Sequence, residues 1–152
     1  MKVMDFLSQE TIVVDLKSTD KKSAIIELVE VLKSTKKLEK TDEVVNVILE
    51  REKLGSTGIG QGVAIPHGKT DVLTEQLGVL GISRKGIEFN SLDGEPVNII
   101  FLLVGPVEVV GQHLKALSRI SRLFKDKFLR QAIKNATTKE DVVKIIQQED
   151  AY

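Results

Sequence analysis

A chain of 152 residues with 22 basic and 22 acidic side chains has no net formal charge, so there is no global electrostatic case for nucleic acid or a membrane surface. The absence of cysteine excludes a disulfide scaffold, thiol catalysis and cysteine-ligated zinc, and fits a reducing compartment. The length suits one domain, residues 1–152, able to bury about 70% of the surface its unfolded form exposes.

The first ten residues, Met1 to Glu10, lack a long apolar signal core. The most apolar run, Ile99 to Val104, is too short to span a bilayer. A soluble cytoplasmic protein without direct membrane insertion is expected. The β-branched run Thr11 to Leu16 reads as a first strand. Ser18, Thr19 and Asp20 supply caps for a helix to about Lys33, with Ala24, Ile25, Leu28, Val29 and Leu32 on one face. Thr41 and Asp42 start a second helix with Val44, Val45, Ile48 and Leu49 inward, ended by Lys53-Leu54-Gly55. Arg51 falls in its last turn.

Val63-Ala64-Ile65 reads as a short strand leading to His67, and Leu77 to Ser83 as another. Ile87-Glu88-Phe89 suggests a short edge strand before a turn at Asp93-Gly94-Glu95-Pro96. Val97 to Val104 has the continuous apolar character of a central strand buried on both faces. Beyond Gly105-Pro106 the pattern turns helical. Leu114, Leu117, Ile120, Leu123 and Phe124 make one face, and Phe128, Leu129, Ala132 and Ile133 a second. Thr138 caps a last helix with Val142, Val143 and Ile146 inward. The expected fold is a single-domain α/β sandwich, a mixed sheet flanked by helices that cluster at the C-terminal end.

The chemistry concentrates between Arg51 and Asp71. Four glycines, Gly55, Gly58, Gly60 and Gly62, precede Val63-Ala64-Ile65, and Pro66-His67-Gly68 follows. A histidine between proline and glycine has a stiff entry and a permissive exit. With an ordinary pKa of about 6.5, much of it is neutral near pH 7. A neutral ring nitrogen can attack phosphorus and hold a phosphoryl group covalently. The glycines could aim backbone N–H groups at the phosphoryl oxygens, with Ser56 and Thr57 adding hydroxyl donors. The residues alone are equally consistent with a turn histidine held by its own hydrogen bonds. The one other histidine, His113, reads by itself as a capping or surface residue at a helix start. Arg51 could pair bidentately with phosphate, or be an ordinary surface arginine.

Gly68-Lys69-Thr70 imitates the end of a P-loop, but the pattern wants glycine where Val63 stands. Gly58-x-Gly60-x-Gly62 has the wrong spacing for a dinucleotide fingerprint and follows a helix. Two histidines without a nearby acidic cluster make a weak metal-ligand set.

The segment Gly55 to Gly68, GSTGIGQGVAIPHG, resembles the active-site signature of the enzyme IIA component of the phosphoenolpyruvate-dependent sugar phosphotransferase system, in the fructose/mannitol class that includes the nitrogen-regulatory branch. Length and order of elements extend the resemblance over essentially the whole chain. It implies a phosphotransferase component in which His67 accepts a phosphoryl group from a histidine-containing phosphocarrier protein. His67 would then pass the group to a IIB component for sugar uptake and phosphorylation, with no metal or organic cofactor. It implies a supporting role for His113 and a phosphoryl-binding role for Arg51, Ser56, Thr57, Gly58 and Gly60. The alternative it leaves is a regulator, in which the phosphorylation state of His67 controls target proteins. Either role needs an apolar ring around His67 for docking, for which Ile59 and Val63 are candidates.

Overall fold

One mixed sheet organises the computed structural model, which describes residues 1–107 and 111–151. Its strands are β1 (Ile12–Val13), β2 (Gly58–Gly60), β3 (Val63–Ala64), β4 (His67–Lys69), β5 (Leu77–Ile87) and β6 (Val97–Gly105). They lie in the order β1-β5-β6-β3-β2, with β4 also paired to β6. β5 and β6 are antiparallel; β1 is parallel to β5, and β3 and β4 are parallel to β6. Among the described residues there are five α-helices, α1 (Lys21–Ser34), α2 (Thr41–Lys53), α3 (Gln112–Leu123), α4 (Lys127–Asn135) and α5 (Lys139–Glu149).

The strand period of two divides the core. In β6, Ile99, Phe101 and Leu103 point to one face, where Ala116, Ile120, Leu129, Ile133, Val142 and Ile146 of α3–α5 cover them. Ile100, Leu102 and Val104 point to the other, against Ala24, Ile25, Leu28, Val29, Leu32, Val44 and Ile48 of α1 and α2. This is the helix-flanked mixed α/β sandwich that the apolar patterns predict. Local chemistry sets the helix starts: Asp20 accepts the Ser23 N–H at 2.9 Å, and Thr138 accepts that of Asp141 at 3.1 Å.

The structure departs from the sequence reading in five places. Ile87 belongs to no separate edge strand. It ends β5 and pairs with Val97 after an irregularity beyond Ile82, where Gly86 takes φ +89°. The glycine segment, expected to aim its N–H groups at a phosphoryl group, is a hairpin: β2 pairs antiparallel with β3 through Gln61-Gly62, both at positive φ (59° and 80°), the requirement of a type I′ turn. β4 is a strand that Pro66 and Gly68 hid from the propensity argument. In α3 the buried positions include His113 and Ala116, whereas Leu114, expected inward, is 68% exposed. In the next helix Phe128 is likewise exposed while Leu129 and Ile133 are buried.

Candidate functional site

β3 and β4 pair with β6 at one constant offset, Val63 opposite Ile99 and His67 opposite Leu103. They are thus a single extended run interrupted at Ile65-Pro66, where the Pro66 carbonyl still accepts the Leu103 N–H at 3.0 Å. Side-chain alternation carries through the interruption. Val63, Ile65 and His67 fall on the α3 side, and Gly68 falls on the α2 side. The alternation leaves no room at Gly68, where a Cβ would lie 2.6 Å from Val47 Cγ1 of α2. β2 pairs with β3 only, so His67 sits on a stretch of edge that the hairpin does not cover.

His67 is half-buried, and its Nδ1 is 2.8 Å from the Ile65 carbonyl oxygen. A carbonyl can only accept, so Nδ1 carries the ring proton and Nε2 carries the lone pair. Burial is the main influence that lowers the His67 pKa; the Ile65 hydrogen bond and Glu52 oppose it, and the Arg51 and Lys69 cations reinforce it. His113, at the start of α3, has its ring centroid 5.7 Å from that of His67 at an interplanar angle of 49°. Its pKa is pushed down to about 4, first by burial and then by His67 and Lys69. Both rings are therefore neutral near pH 7. They line a groove of about 900 Å³ with Arg51, Lys69 and Val47 on one side and Val107, Leu114 and Leu117 on the other. The guanidinium of Arg51 donates through Nη1 to the Gly55 carbonyl at 2.8 Å, which fixes its direction at the end of α2.

A family model, "Phosphoenolpyruvate-dependent sugar phosphotransferase system, EIIA 2", matches residues 5–149. The chain belongs to this EIIA family. A nitrogen regulatory protein of Bradyrhizobium diazoefficiens is 37% identical over 146 residues, covering 96% of this chain and 95% of that protein. The fructose-specific EIIABC component of Bacillus subtilis is 35% identical over 150 residues, 99% of this chain, and the chain spans 24% of the length of that relative. The crystal structure of IIA-Ntr from Neisseria meningitidis is similar at TM-score 0.86 and 34% identity, covering 93% of this chain and 97% of that one. As an EIIA domain the protein is a phosphotransferase component, and its relatives support a phosphocarrier role.

Of the site residues named from the sequence, His67, His113 and Arg51 converge on one groove. Ser56, Thr57, Gly58 and Gly60 do not line it. The Ser56 hydroxyl donates to the Phe89 carbonyl at 2.6 Å and accepts from the Gly58 N–H at 3.0 Å. The Thr57 hydroxyl donates to the buried carboxylate of Glu52, which also accepts the Thr57 N–H. Gly58 allows close approach to another segment, since a Cβ there would lie 2.4 Å from Ser91 Oγ. Gly60 lines a separate cleft with Ile59, Gln61 and Leu92. The hairpin explains these placements: its pairing turns the backbone into the sheet and spends the hydroxyls on internal contacts. Val63, a candidate for the docking ring, is in the core at 1% exposure; the exposed apolar side chains of the groove are Val107 and Leu114.

Sequence reasoning did not find Glu52, Lys69 or Gln76. Glu52 had a legible signal, because it continues the buried row Val44–Ile48 at a spacing of four. Lys69 lay in the rejected P-loop imitation. Gln76 carries no pattern at all; it becomes visible only where β5 begins beside the end of β6.

No helix among the described residues is long and apolar enough to cross a membrane.

Proposed function

We propose that this protein is a phosphocarrier that takes a phosphoryl group onto Nε2 of His67 from a histidine-containing phosphocarrier protein and gives it to a IIB component of a sugar transporter. The observation that carries this reading is the Nδ1–Ile65 contact of 2.8 Å, which leaves Nε2 as the nucleophilic nitrogen of a neutral, half-exposed ring. The Nε2 lone pair forms the new N–P bond as the donor's N–P bond breaks in line, and the donor ring keeps the electron pair. Positive charge that develops on the His67 ring is held by the Ile65 carbonyl. Arg51 and Lys69 supply cations for the phosphoryl oxygens, and the neutral ring of His113 lies beside them. The second transfer reverses this geometry onto the IIB acceptor; the EIIABC name of the Bacillus subtilis relative supports such a partner.

One observation favours a second reading. Two relatives matched over nearly their whole length, at 37% and 34% identity, are a nitrogen regulatory protein and IIA-Ntr. Under that reading the phosphorylation state of the same His67 is read by target proteins, and no sugar moves. The test common to both is to mix the purified protein with phosphoenolpyruvate, enzyme I and the phosphocarrier protein, and to follow intact mass beside His67→Ala. An acid-labile gain of one phosphoryl group that is absent from the variant is expected, and its phosphorus resonance should be that of an Nε2 adduct. No gain with partners active on another IIA protein overturns both readings. Discharge by IIB proteins then separates carrier from regulator.

A further inference from the structure

His113 is 8% exposed, and its Nε2 has no hydrogen-bond partner among the described residues. Its Nδ1 is 3.2 Å from Oε1 of Gln76. In this orientation His113 donates from Nδ1, and two buried nitrogens are orphaned, His113 Nε2 and Gln76 Nε2. A half-turn of the Gln76 amide exchanges its oxygen and nitrogen while every other atom stays in place. The amide N–H then donates to His113 Nδ1, and the two groups left without a partner are the amide oxygen and the Nε2–H of His113. A phosphoryl oxygen can satisfy an unpartnered ring N–H and is repelled by an unpartnered ring lone pair, so only the half-turned arrangement leaves His113 complementary to an anion on the neighbouring ring. The half-turn also moves the ring proton of His113 to Nε2, which converts an idle lone pair into a donor. The amide is held in place by packing: it lies flat on Gly105, where a Cβ would be 2.3 to 2.5 Å from all three of its terminal atoms.

We propose that Gln76 is a positioning residue that selects the Nε2–H tautomer of His113, so that His113 can donate a hydrogen bond to a phosphoryl group on the adjacent His67. The role in transfer rests on the phosphocarrier reading above; the control of the tautomer by Gln76 does not. A neutral imidazole has one ring proton to give, so its place decides whether His113 attracts or repels a phosphoryl oxygen. Gly105 completes the device by leaving the space that the amide fills.

The test uses imidazole ¹⁵N chemical shifts of His113 in the full-length, unphosphorylated protein near pH 7, with Gln76→Met and Gly105→Ala beside it. Methionine keeps the length and loses the donor. The Gly105→Ala methyl displaces the amide, which is the free end of a flexible side chain, so the sheet is retained. The expected wild-type pattern is a pyrrole-like Nε2 and a pyridine-like Nδ1. Both variants should lose that preference and slow phosphoryl transfer about ten-fold with unchanged melting temperature. A wild-type proton on Nδ1, or a preference that survives in both variants, overturns the proposal. Failure of the wild type to be phosphorylated at all overturns only the carrier reading, because the tautomer is read without phosphate.

Discussion

At the scale of single residues the site depends on keeping two histidines neutral in a groove that also holds cations. Burial is the first cause for both, and it acts against the imidazolium form. The linkage has a definite sign. The folded-state pKa of His113 is about 4 against an ordinary value of 6.5, so between these pH values the unfolded chain binds a proton that the folded chain does not. The contribution is fully present above pH 6.5 and is lost as pH falls toward 4. Melting temperature should therefore fall on acidification across that window, and His113→Gln should flatten the slope; a slope unchanged in the variant would count against a buried neutral ring. Reactivity follows the same sign at His67. The rate of its phosphorylation should be flat in neutral and mildly alkaline solution, where the ring is unprotonated, and should decline as acid protonates Nε2. Single-turnover transfer measured across pH, with donor activity checked at each point, tests this.

At the scale of elements, the β2–β3 hairpin is pinned to α2 by one buried carboxylate. Glu52 accepts from Thr57 of the hairpin and pairs with Lys21 of α1 at 2.9 Å, and the Lys21 ammonium also lies 4.8 Å from the centre of the Phe89 ring. Removing the cation leaves the carboxylate buried without its counter-charge. Lys21→Met should cost about 2 kcal/mol in urea unfolding, below the value for a fully buried pair because Lys21 keeps some solvent contact. Lys21→Met with Glu52→Gln should recover part of that loss, since the amide can still meet Thr57. This arrangement also marks where sequence legibility ended. The helices α1 and α5 were readable because Asp20 and Thr138 are genuine caps and the inward residues of α1 recur at helical spacing. β2 and β4 were not, because glycine, proline and histidine form poor strands; β2 becomes a strand only against β3, and β4 only against β6. His113 and Leu114 exchanged places for a related reason. Apolar spacing favours Leu114 inward, whereas the tertiary site takes His113 inward and turns the leucine to the groove rim. The phosphoryl-acceptor candidate was legible from Pro66-His67-Gly68, but Lys69 in the same groove and Gln76 beside His113 were not, since strand pairing alone places them there.

At the scale of the molecule, the sheet edge at β4 opens between helices from opposite layers, α2 with Arg51 and α3 with His113. A partner that reaches His67 must settle across both. On the α3 side the rim it meets is apolar, with Val107 51% and Leu114 68% exposed, opposite Arg51 and Lys69. Leu114 projects from a helix whose other face is fixed in the core by Ala116 and Ile120, so it can change without disturbing the fold. Leu114→Asp should leave unfolding free energy within about 0.5 kcal/mol of wild type. It should weaken docking of the phosphoryl donor by about ten-fold, because it places a charge on the apolar rim that the donor must cover. The effect should appear in KM for the donor protein and leave the rate at saturating donor nearly unchanged, since Leu114 has no part in the bonds that form or break. The reverse split, a lower saturated rate with KM preserved, would mean that Leu114 orders the reacting rings, and that docking rests on another part of the groove.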